Sequence, residues 1–249
     1  MTRLPLELKH DIIFEAVFEL RFEPNIPNGA VFGVIYPIIM EKFPNLNHIS
    51  LPILDLPDAV RNSDPQFKYQ PLNRLQGEGL SIGIGPRVIC FSVLKPYIGW
   101  NKWKPIILDI LIKVSDKKVI KYAEKTGLRY LNFINQDVFS LINVEVKVIN
   151  NTIKPVATTV RTEIQEGEYI KALQIANNAS MNENGQIRHG SLIDIDITRM
   201  KNLQNNDFKF NLETILDKSH SLAKQLFFDI LRDNFLKMLE PVYGGNSNG

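Results

Sequence analysis

The chain has 249 residues, 44% of them hydrophobic and 22% charged, which is the composition of an ordinary globular protein with a sizeable core. Its 29 basic and 27 acidic residues leave a net charge of +2, too balanced to indicate nucleic-acid binding from charge alone. No apolar run reaches the roughly 18 residues of a membrane span, and charged residues interrupt any signal-peptide pattern at the N-terminus. We therefore expect a cytoplasmic protein that does not associate with membranes.

Cysteine and histidine usage narrows the possible chemistry. Cys90 is the only cysteine, which excludes an internal disulfide and a cysteine-based zinc site. It lies in an apolar stretch typical of a buried strand, so we expect an inert core thiol rather than a nucleophile. His10, His48, His189 and His220 are too scattered for a ligand pair such as HExxH. The sequence thus indicates no catalytic residue, no metal and no cofactor.

The first predicted element is a strand over residues 12–22, where apolar and other residues alternate with a period of two. The positions expected to face the core are Phe14, Ala16, Phe18, Leu20 and Phe22. Glu15, Glu19 and Arg21 fall on the opposite face. Carboxylates at this spacing can bind a metal, but a solvated face or partners for basic residues on a neighbouring strand is the more common arrangement, and we adopt it.

Two helices follow, over residues 29–43 and 103–114, separated by a proline-rich, loop-like stretch and several strands. Pro37 is unfavourable in the first helix because it lacks a backbone donor, whereas Pro105 suits the first turn of the second. The glycine-rich segment 77–85 superficially resembles a phosphate loop, but it leads into a strand rather than a helix, so hairpin turns and bulges explain it better. The strands expected here are a short one near Ile49–Ile53, then Leu72–Gln76, Leu80–Ile84 and Val88–Leu94.

An aromatic segment with neighbouring lysines precedes the second helix. Tyr97, Trp100 and Trp103 could stack nucleobases, or they could pin the helix to the sheet. We adopt the packing interpretation and expect Trp100 to be substantially buried. The lysine-rich stretch 113–125 is interpreted as a solvated connector between two halves of the chain.

A second informative strand is predicted over Leu128–Ile134. Alternation places Leu128, Tyr130, Asn132 and Ile134 on one face and Arg129, Leu131 and Phe133 on the other. Asn132 in an apolar run must find hydrogen-bond partners, either as a structural bracket or as a ligand contact, and we adopt the bracket. Arg129 is expected to form an ion pair with Glu15 or Glu19 if the two strands are adjacent.

Further strands are predicted over 142–149, 156–165 and 169–177, with a polar hairpin loop over 180–190. In the next strand, 192–198, isoleucines face inward and Asp194 and Asp196 outward. The Asp-x-Asp spacing is found in metal sites for phosphoryl transfer, but a solvent-facing pair is the simpler interpretation without a third acidic residue.

The C-terminal region carries helical periodicity over residues 211–239, with Asn211 as the expected N-cap and Pro241 beyond its end. The apolar face is broader than a two-per-heptad seam, so a single sheet would leave part of it uncovered. We therefore expect this helix to be the contact of a homo-oligomer.

Three stretches, Phe14–Phe22, Tyr97–Trp100 and Gly127–Ile134, carry a Glu-Ala-Val-Phe-Glu strand, a Tyr-x-Gly-Trp loop and a Gly-Leu-Arg-Tyr-x-Asn strand. Together they resemble a sporadically distributed bacterial protein family of about this length with no assigned function. Phe133 departs from the arginine that the family tends to have there. The resemblance implies an accessory gene, in a defence or toxin–antitoxin setting.

The order of elements predicts an α+β fold with largely antiparallel sheets, helices on one side and a long C-terminal helix. Residues 1–119 and 120–249 are expected to be two related halves, arranged by analogy like the TATA-binding protein. We expect a non-enzymatic interaction or regulatory protein with a protein partner. The alternative is a nucleic-acid-binding or nucleic-acid-processing protein that uses Trp100, Trp103 and Arg129. The residues expected to form the binding site are Glu15, Glu19, Tyr97, Trp100, Arg129, Tyr130 and Asn132.

Overall fold

The computed structural model describes residues 4–148, 151–152, 157–183 and 185–244. A ten-stranded sheet, antiparallel at every described pairing, carries the long helices on one face. The predicted α+β class, with antiparallel strands, helices on one side and a long C-terminal helix, is confirmed.

The strands are β1 (Glu7–Leu8), β2 (Ile13–Pro24), β3 (Asn47–Ser50), β4 (Asn73–Gly77), β5 (Leu80–Gly85), β6 (Val88–Leu94), β7 (Ile120–Ile134), β8 (Lys147–Val148), β9 (Asn151–Thr152), β10 (Thr159–Glu166), β11 (Tyr169–Glu183), β12 (Gln186–Arg199), β13 (Leu203–Gln204) and β14 (Pro241–Val242). The helices are α1 (Asn28–Lys42), α2 (Asp58–Ser63), α3 (Pro65–Lys68), α4 (Trp100–Asp116), α5 (Asn205–Ile230) and α6 (Asp233–Met238). Short 3₁₀ turns lie at Pro52–Asp55 and Val138–Ser140.

The large sheet has the order β10-β11-β12-β7-β2-β6-β5-β4-β3, with β13 added beside β7. The strands β2 and β7 lie at its centre. Each half of the chain places its first long strand there and its last long strand, β6 or β12, next to it. The predicted halves, 1–119 and 120–249, are therefore joined by the main-chain ladder between β2 and β7. That they are related units, arranged as in the TATA-binding protein, stays a prediction.

The core lies between the sheet and the layer formed by α1, α4 and α5. Period-two alternation sorts the side chains as predicted: Phe18, Leu20 and Phe22 of β2 are fully buried, as are Ile193 and Ile197 of β12. This burial of β-branched and aromatic side chains against amphipathic helices is the main source of stability in such a fold.

Both long helices of the first half contain a proline. The second helix begins at Trp100, three residues earlier than predicted, so Pro105 lies beyond its first turn, and Pro37 lies inside α1. Both prolines are exposed to solvent. A carbonyl that loses its helical partner on the solvent side can bind water, which explains how the helices continue through them.

Three predicted connections are wrong. The proline-rich stretch after β3 contains α2 and α3. The lysine-rich connector at 113–125 is the end of α4 followed by the start of β7, separated only by residues 117–119. The loop at 180–190 is a ladder, with Ala179 opposite Gly190 and Glu183 opposite Gln186. Strand pairing orders the last of these segments, whereas α2 and α3 bury no residue and α3 begins with a local cap, in which the Asp64 side chain accepts from Gln66 N.

The predicted strand at 142–149 is largely absent from the described residues. Ile142 forms an isolated bridge with Leu231, and only Lys147–Val148 is a strand, paired with β9. Residue 149, like residue 156 at the start of the next predicted strand, lies outside the described residues.

The C-terminal helix differs from its predicted bounds of 211–239. It begins at Asn205 and ends at Ile230, so Asn211 is an interior residue, whose Nδ2 donates to the Asp207 carbonyl at 2.7 Å, rather than the N-cap. After the break, Arg232 Nε donates to the carbonyl of Ile142 at 2.8 Å. The chain leaves the helix to make this tertiary contact, which periodicity cannot anticipate. Among the described residues, no helix is long and apolar enough to cross a membrane.

Trp100, which is predicted to be substantially buried, packs against the core, but the fully buried tryptophan of α4 is Trp103. Trp103 has no exposed surface, whereas Trp100 is half-buried at the start of the helix. We predict that Trp103→Ala lowers the free energy of unfolding by about 3–5 kcal/mol, because it leaves a large core cavity. Trp100→Ala, the matched control, should have a smaller effect. Urea unfolding measures both, and equal effects would contradict this assignment of the core tryptophan.

Candidate functional site

The sheet divides the predicted binding residues into two groups that cannot meet. Tyr130 and Asn132 are buried on the helical side, where Tyr130 packs against Tyr97 and where Trp100 also lies. The side chains of Glu15, Glu19 and Arg129 belong to the opposite, outer face, as alternation predicts. The two groups therefore require separate chemical interpretations.

The inner group is an aromatic cluster completed by a histidine of α5. Tyr130 Oη lies 2.9 Å from His220 Nδ1 and 3.4 Å from Tyr97 Oη. The ring of Trp100 stacks on His220 with centroids 4.4 Å apart and planes 7° apart. Trp103 packs edge-on against Tyr97 and Tyr130. This arrangement attaches the start of α4 and the middle of α5 to the central strand β7.

Burial controls the ionisation of this cluster. Removal from water lowers the pKa of His220 to about 4, and the nearby Lys224 acts in the same direction. Burial also raises the pKa of Tyr97 to about 12 and that of Tyr130 well above its usual value. All three rings are therefore neutral at physiological pH, as expected for a packed structural cluster.

The sequence interpretation did not include His220 in this cluster. A usable signal exists, because His220 lies one helical turn from both Leu216 and Ala223, which are core residues of α5. Asn132 is 2% exposed, and its Nδ2 donates to the carbonyls of Ile193 at 3.0 Å and Tyr130 at 3.4 Å. These bonds fit the bracket interpretation of Asn132.

We predict that His220 makes the protein less stable in acid. Because its folded-state pKa lies near 4, below its ordinary value of 6.5, the stability it contributes is complete above pH 6.5 and is lost as the pH falls towards 4. The loss should be up to about 3 kcal/mol. In His220→Phe, unfolding free energies measured between pH 7 and pH 4 should fall less steeply than in the unmodified protein. The exposed control His189→Gln should leave the slope unchanged; an equal change in slope would contradict the assignment.

On the outer face, the predicted ion pair between Arg129 and Glu15 or Glu19 is wrong, although β2 and β7 are adjacent as expected. Arg129 binds Asp194 of β12 instead, through Nε at 2.8 Å and Nη2 at 2.6 Å. Glu19 binds Arg21 at 2.6 Å. The Asp194 side chain is only 10% exposed and has therefore lost most of its hydration. The Arg129 guanidinium replaces the lost water with two charged hydrogen bonds.

Beside this ion pair the outer face carries no side chain at the buried Gly127, and we call the space that a side chain would take there the depression above Gly127. In register across the sheet, Glu19 of β2 lies opposite Gly127, which lies opposite Thr198 of β12. A Cβ at Gly127 would meet only Asp196 Oδ1 at 3.7 Å and Thr198 Oγ1 at 4.0 Å, both ordinary contact distances. A Cβ therefore fits at Gly127 beside the Asp196 carboxylate, and Glu19 lies opposite Gly127 on the neighbouring strand.

Asp196 is the electrostatically unusual residue of this depression. Burial raises the pKa of its carboxyl, with Asp194 adding to the effect and Lys125 and Arg129 opposing it. Among the described residues it forms no ion pair within 4 Å, and it accepts a long 3.4 Å hydrogen bond from the Thr198 hydroxyl. A carboxylate that has lost water, while the cations beside it, Lys125 and Arg129, stay outside ion-pair distance, is in an unfavourable state.

Cys90 borders the same face rather than the core, which corrects the sequence prediction. Its Sγ lies 3.8 Å from Glu19 Oε2, and burial and that carboxylate raise the pKa of the thiol. The open part of the face ends near here, because Pro71 lies over Gly83 of β5, with its Cγ 2.9 Å from where a Cβ would be. The depression thus lies between β2, β7 and β12.

Other parts of the molecule offer weaker arrangements. A cleft of about 270 Å³ at the end of β7 is lined by Phe133, Asp11, Lys95 and Arg188, among others. Within the described part of the chain, no three His, Cys, Asp or Glu side chains are grouped closely enough to hold a metal ion.

Comparison with known proteins adds no family assignment. Neither a scan against protein-family models nor a search of the curated proteins finds a match to this chain. The geometry of the outer face is therefore the basis for a functional proposal.

Proposed function

We propose that the protein is a non-enzymatic interaction or regulatory protein whose outer sheet face binds a protein partner. The depression above Gly127 receives a lysine or arginine side chain of that partner between Glu19 and Asp196. The supporting observation is the half-buried carboxylate of Asp196, which has a raised pKa and no ion-pair partner within 4 Å in the described chain. Because Phe14–Phe22, Tyr97–Trp100 and Gly127–Ile134 resemble a sporadically distributed bacterial family, we further propose that the protein belongs to an accessory bacterial system.

The energetics favour a cationic ligand. An uncompensated, half-buried carboxylate destabilises the folded protein, and such a residue is commonly retained for function. A guanidinium or ammonium group in the depression would restore the interactions that Asp196 has lost. Glu19 adds a second carboxylate, although Arg21 partly neutralises it.

The same face is poorly suited to nucleic acid. Phosphates would approach the carboxylates of Asp194, Asp196 and Glu19, which repel them. Trp103 is fully buried on the helical side, whereas Arg129 lies on the outer face. The residues expected to stack bases and bind phosphate therefore do not share one surface, which favours a protein partner over nucleic acid.

Two substitutions separate binding from folding. Asp196→Asn removes the charge, and Gly127→Val fills the depression with a side chain whose Cβ meets no close contact. Asp229→Asn, which changes an exposed carboxylate on α5, is the control.

The partner is first captured from the native host on the unmodified protein, with nuclease treatment, and is then produced pure for titration against each variant.

We predict that Asp196→Asn and Gly127→Val each weaken partner binding by about 10-fold to 100-fold, which corresponds to the loss of one charged hydrogen-bonded contact. Asp229→Asn should bind like the unmodified protein. Unchanged affinity in both site variants, or a captured complex that nuclease destroys, would contradict the proposal.

The stability of Asp196→Asn supplies an internal check. The pKa of Asp196 is raised above 3.8 in the folded protein, so ionisation at higher pH favours the unfolded state. Asp196→Asn should therefore be more stable than the unmodified protein at pH 7, and this difference should vanish below pH 3.8. A variant that is more stable but binds less tightly cannot owe its lost binding to unfolding.

A further inference from the structure

The edge strand β10 has a free main-chain side. It pairs with β11 along its whole length, from Thr159 opposite Ala176 to Glu166 opposite Tyr169. Its residues are exposed, apart from the half-buried Val160, and no element of the described chain pairs with its other side. An edge of this length can add another strand unless its side chains prevent it.

The hairpin geometry shows which main-chain groups are free. The turn between β10 and β11 has two residues, so Glu166 and Tyr169 form the hydrogen-bonded pair beside it. Every second residue from Glu166 then bonds to β11, in agreement with the 2.9 Å bond from Asn177 N to Thr158 O. The N–H and C=O groups directed away from β11 belong to Thr159, Arg161, Glu163 and Gln165.

The side chains of β10 are self-complementary about Thr162. When a second β10 lies antiparallel with Thr162 opposite Thr162, Arg161 of each copy lies opposite Glu163 of the other on the outer face. On the inner face Val160 then lies opposite Ile164, whose surface is 45% exposed in the single chain. The free groups of Arg161 and Glu163 exchange hydrogen bonds in this register.

Neighbouring registers that keep the same faces together are unfavourable. A shift in one direction places Arg161 opposite Arg161, and a shift in the other places Glu163 opposite Glu163, so like charges meet on the two-fold axis. One register alone thus combines opposite charges, apolar contact and matched main-chain groups.

We propose that two copies of this chain associate through their β10 strands, antiparallel and centred on Thr162, to form one continuous sheet across a two-fold axis. This contact differs from the self-association expected through the C-terminal helix. It is also independent of the depression above Gly127, which lies on central strands, so either proposal can fail alone.

Disulfide trapping tests the register. Directly opposed, non-hydrogen-bonded residues of an antiparallel pair have Cα atoms about 4.5 Å apart, within the range that a disulfide spans. Thr162→Cys should therefore form a covalent dimer under mild oxidation. Gln165→Cys is the matched control, exposed on the same strand but opposite Thr159 in the dimer, and should remain monomeric on a non-reducing gel. Both variants keep Cys90.

Charge reversal tests the interface without a covalent bond. Arg161→Glu and Glu163→Arg each place like charges opposite one another twice, and should weaken dimerisation by about tenfold or more in sedimentation experiments over a concentration series. The double variant restores opposite charges and should recover the dimer. Phe228→Lys on α5 should leave it unchanged.

Three results would overturn the proposal. The first is a monomer at every concentration together with equal trapping of Thr162→Cys and Gln165→Cys. The second is a dimer that the β10 charge reversals leave intact. The third is a dimer that Phe228→Lys abolishes, which would place the contact on α5.

Discussion

The antiparallel pairing of β2 with β7 is the constraint on which the rest of the structure depends. It joins the first half of the chain to the second, and the remaining strands add outward from this central pair. One face of the pair buries Phe18, Leu20 and Leu128 completely. Because side chains alternate over the regular stretch of this pairing, from Glu15 to Arg21 of β2, Glu19 and Arg129 are directed to the opposite face.

Along β2 and β7, this alternation places packing residues on the inner face and charged residues on the outer face. The inward Tyr130 bonds to His220 and so attaches α5 to the sheet, whereas the inward Asn132 bonds to the Ile193 carbonyl within the sheet. Outward residues, such as Arg129 and Asp194, remain charged on the face opposite the long helices. The glycine at position 127 belongs to the outer set, where the lack of a side chain leaves a depression beside Asp196.

The sequence alone predicts the strands and helices that have a local pattern of apolar residues. Alternation located the central strands and their core faces, and helical spacing located α4 and most of α5. Three features depended on distant partners: the helix break after Ile230, the contact of His220 with Tyr130, and the ion pair of Arg129 with Asp194. A single sequence does not show which strands become neighbours, and it therefore favoured Glu15 or Glu19 for Arg129. The sequence identifies Glu19 and Asp196 as charged residues of the outer face. That they lie on either side of Gly127 follows only from the register of β2, β7 and β12.

Native-state hydrogen exchange measures the central claim most directly, because it reports the free energy of opening for each strand. If the β2–β7 ladder joins the two halves into one cooperative unit, amides of both strands should exchange only through global unfolding, whereas amides of β3 and β10 at the edges should exchange through smaller openings. Exchange of the β2 and β7 amides at free energies well below that of global unfolding would show that the halves open independently, and would contradict the account.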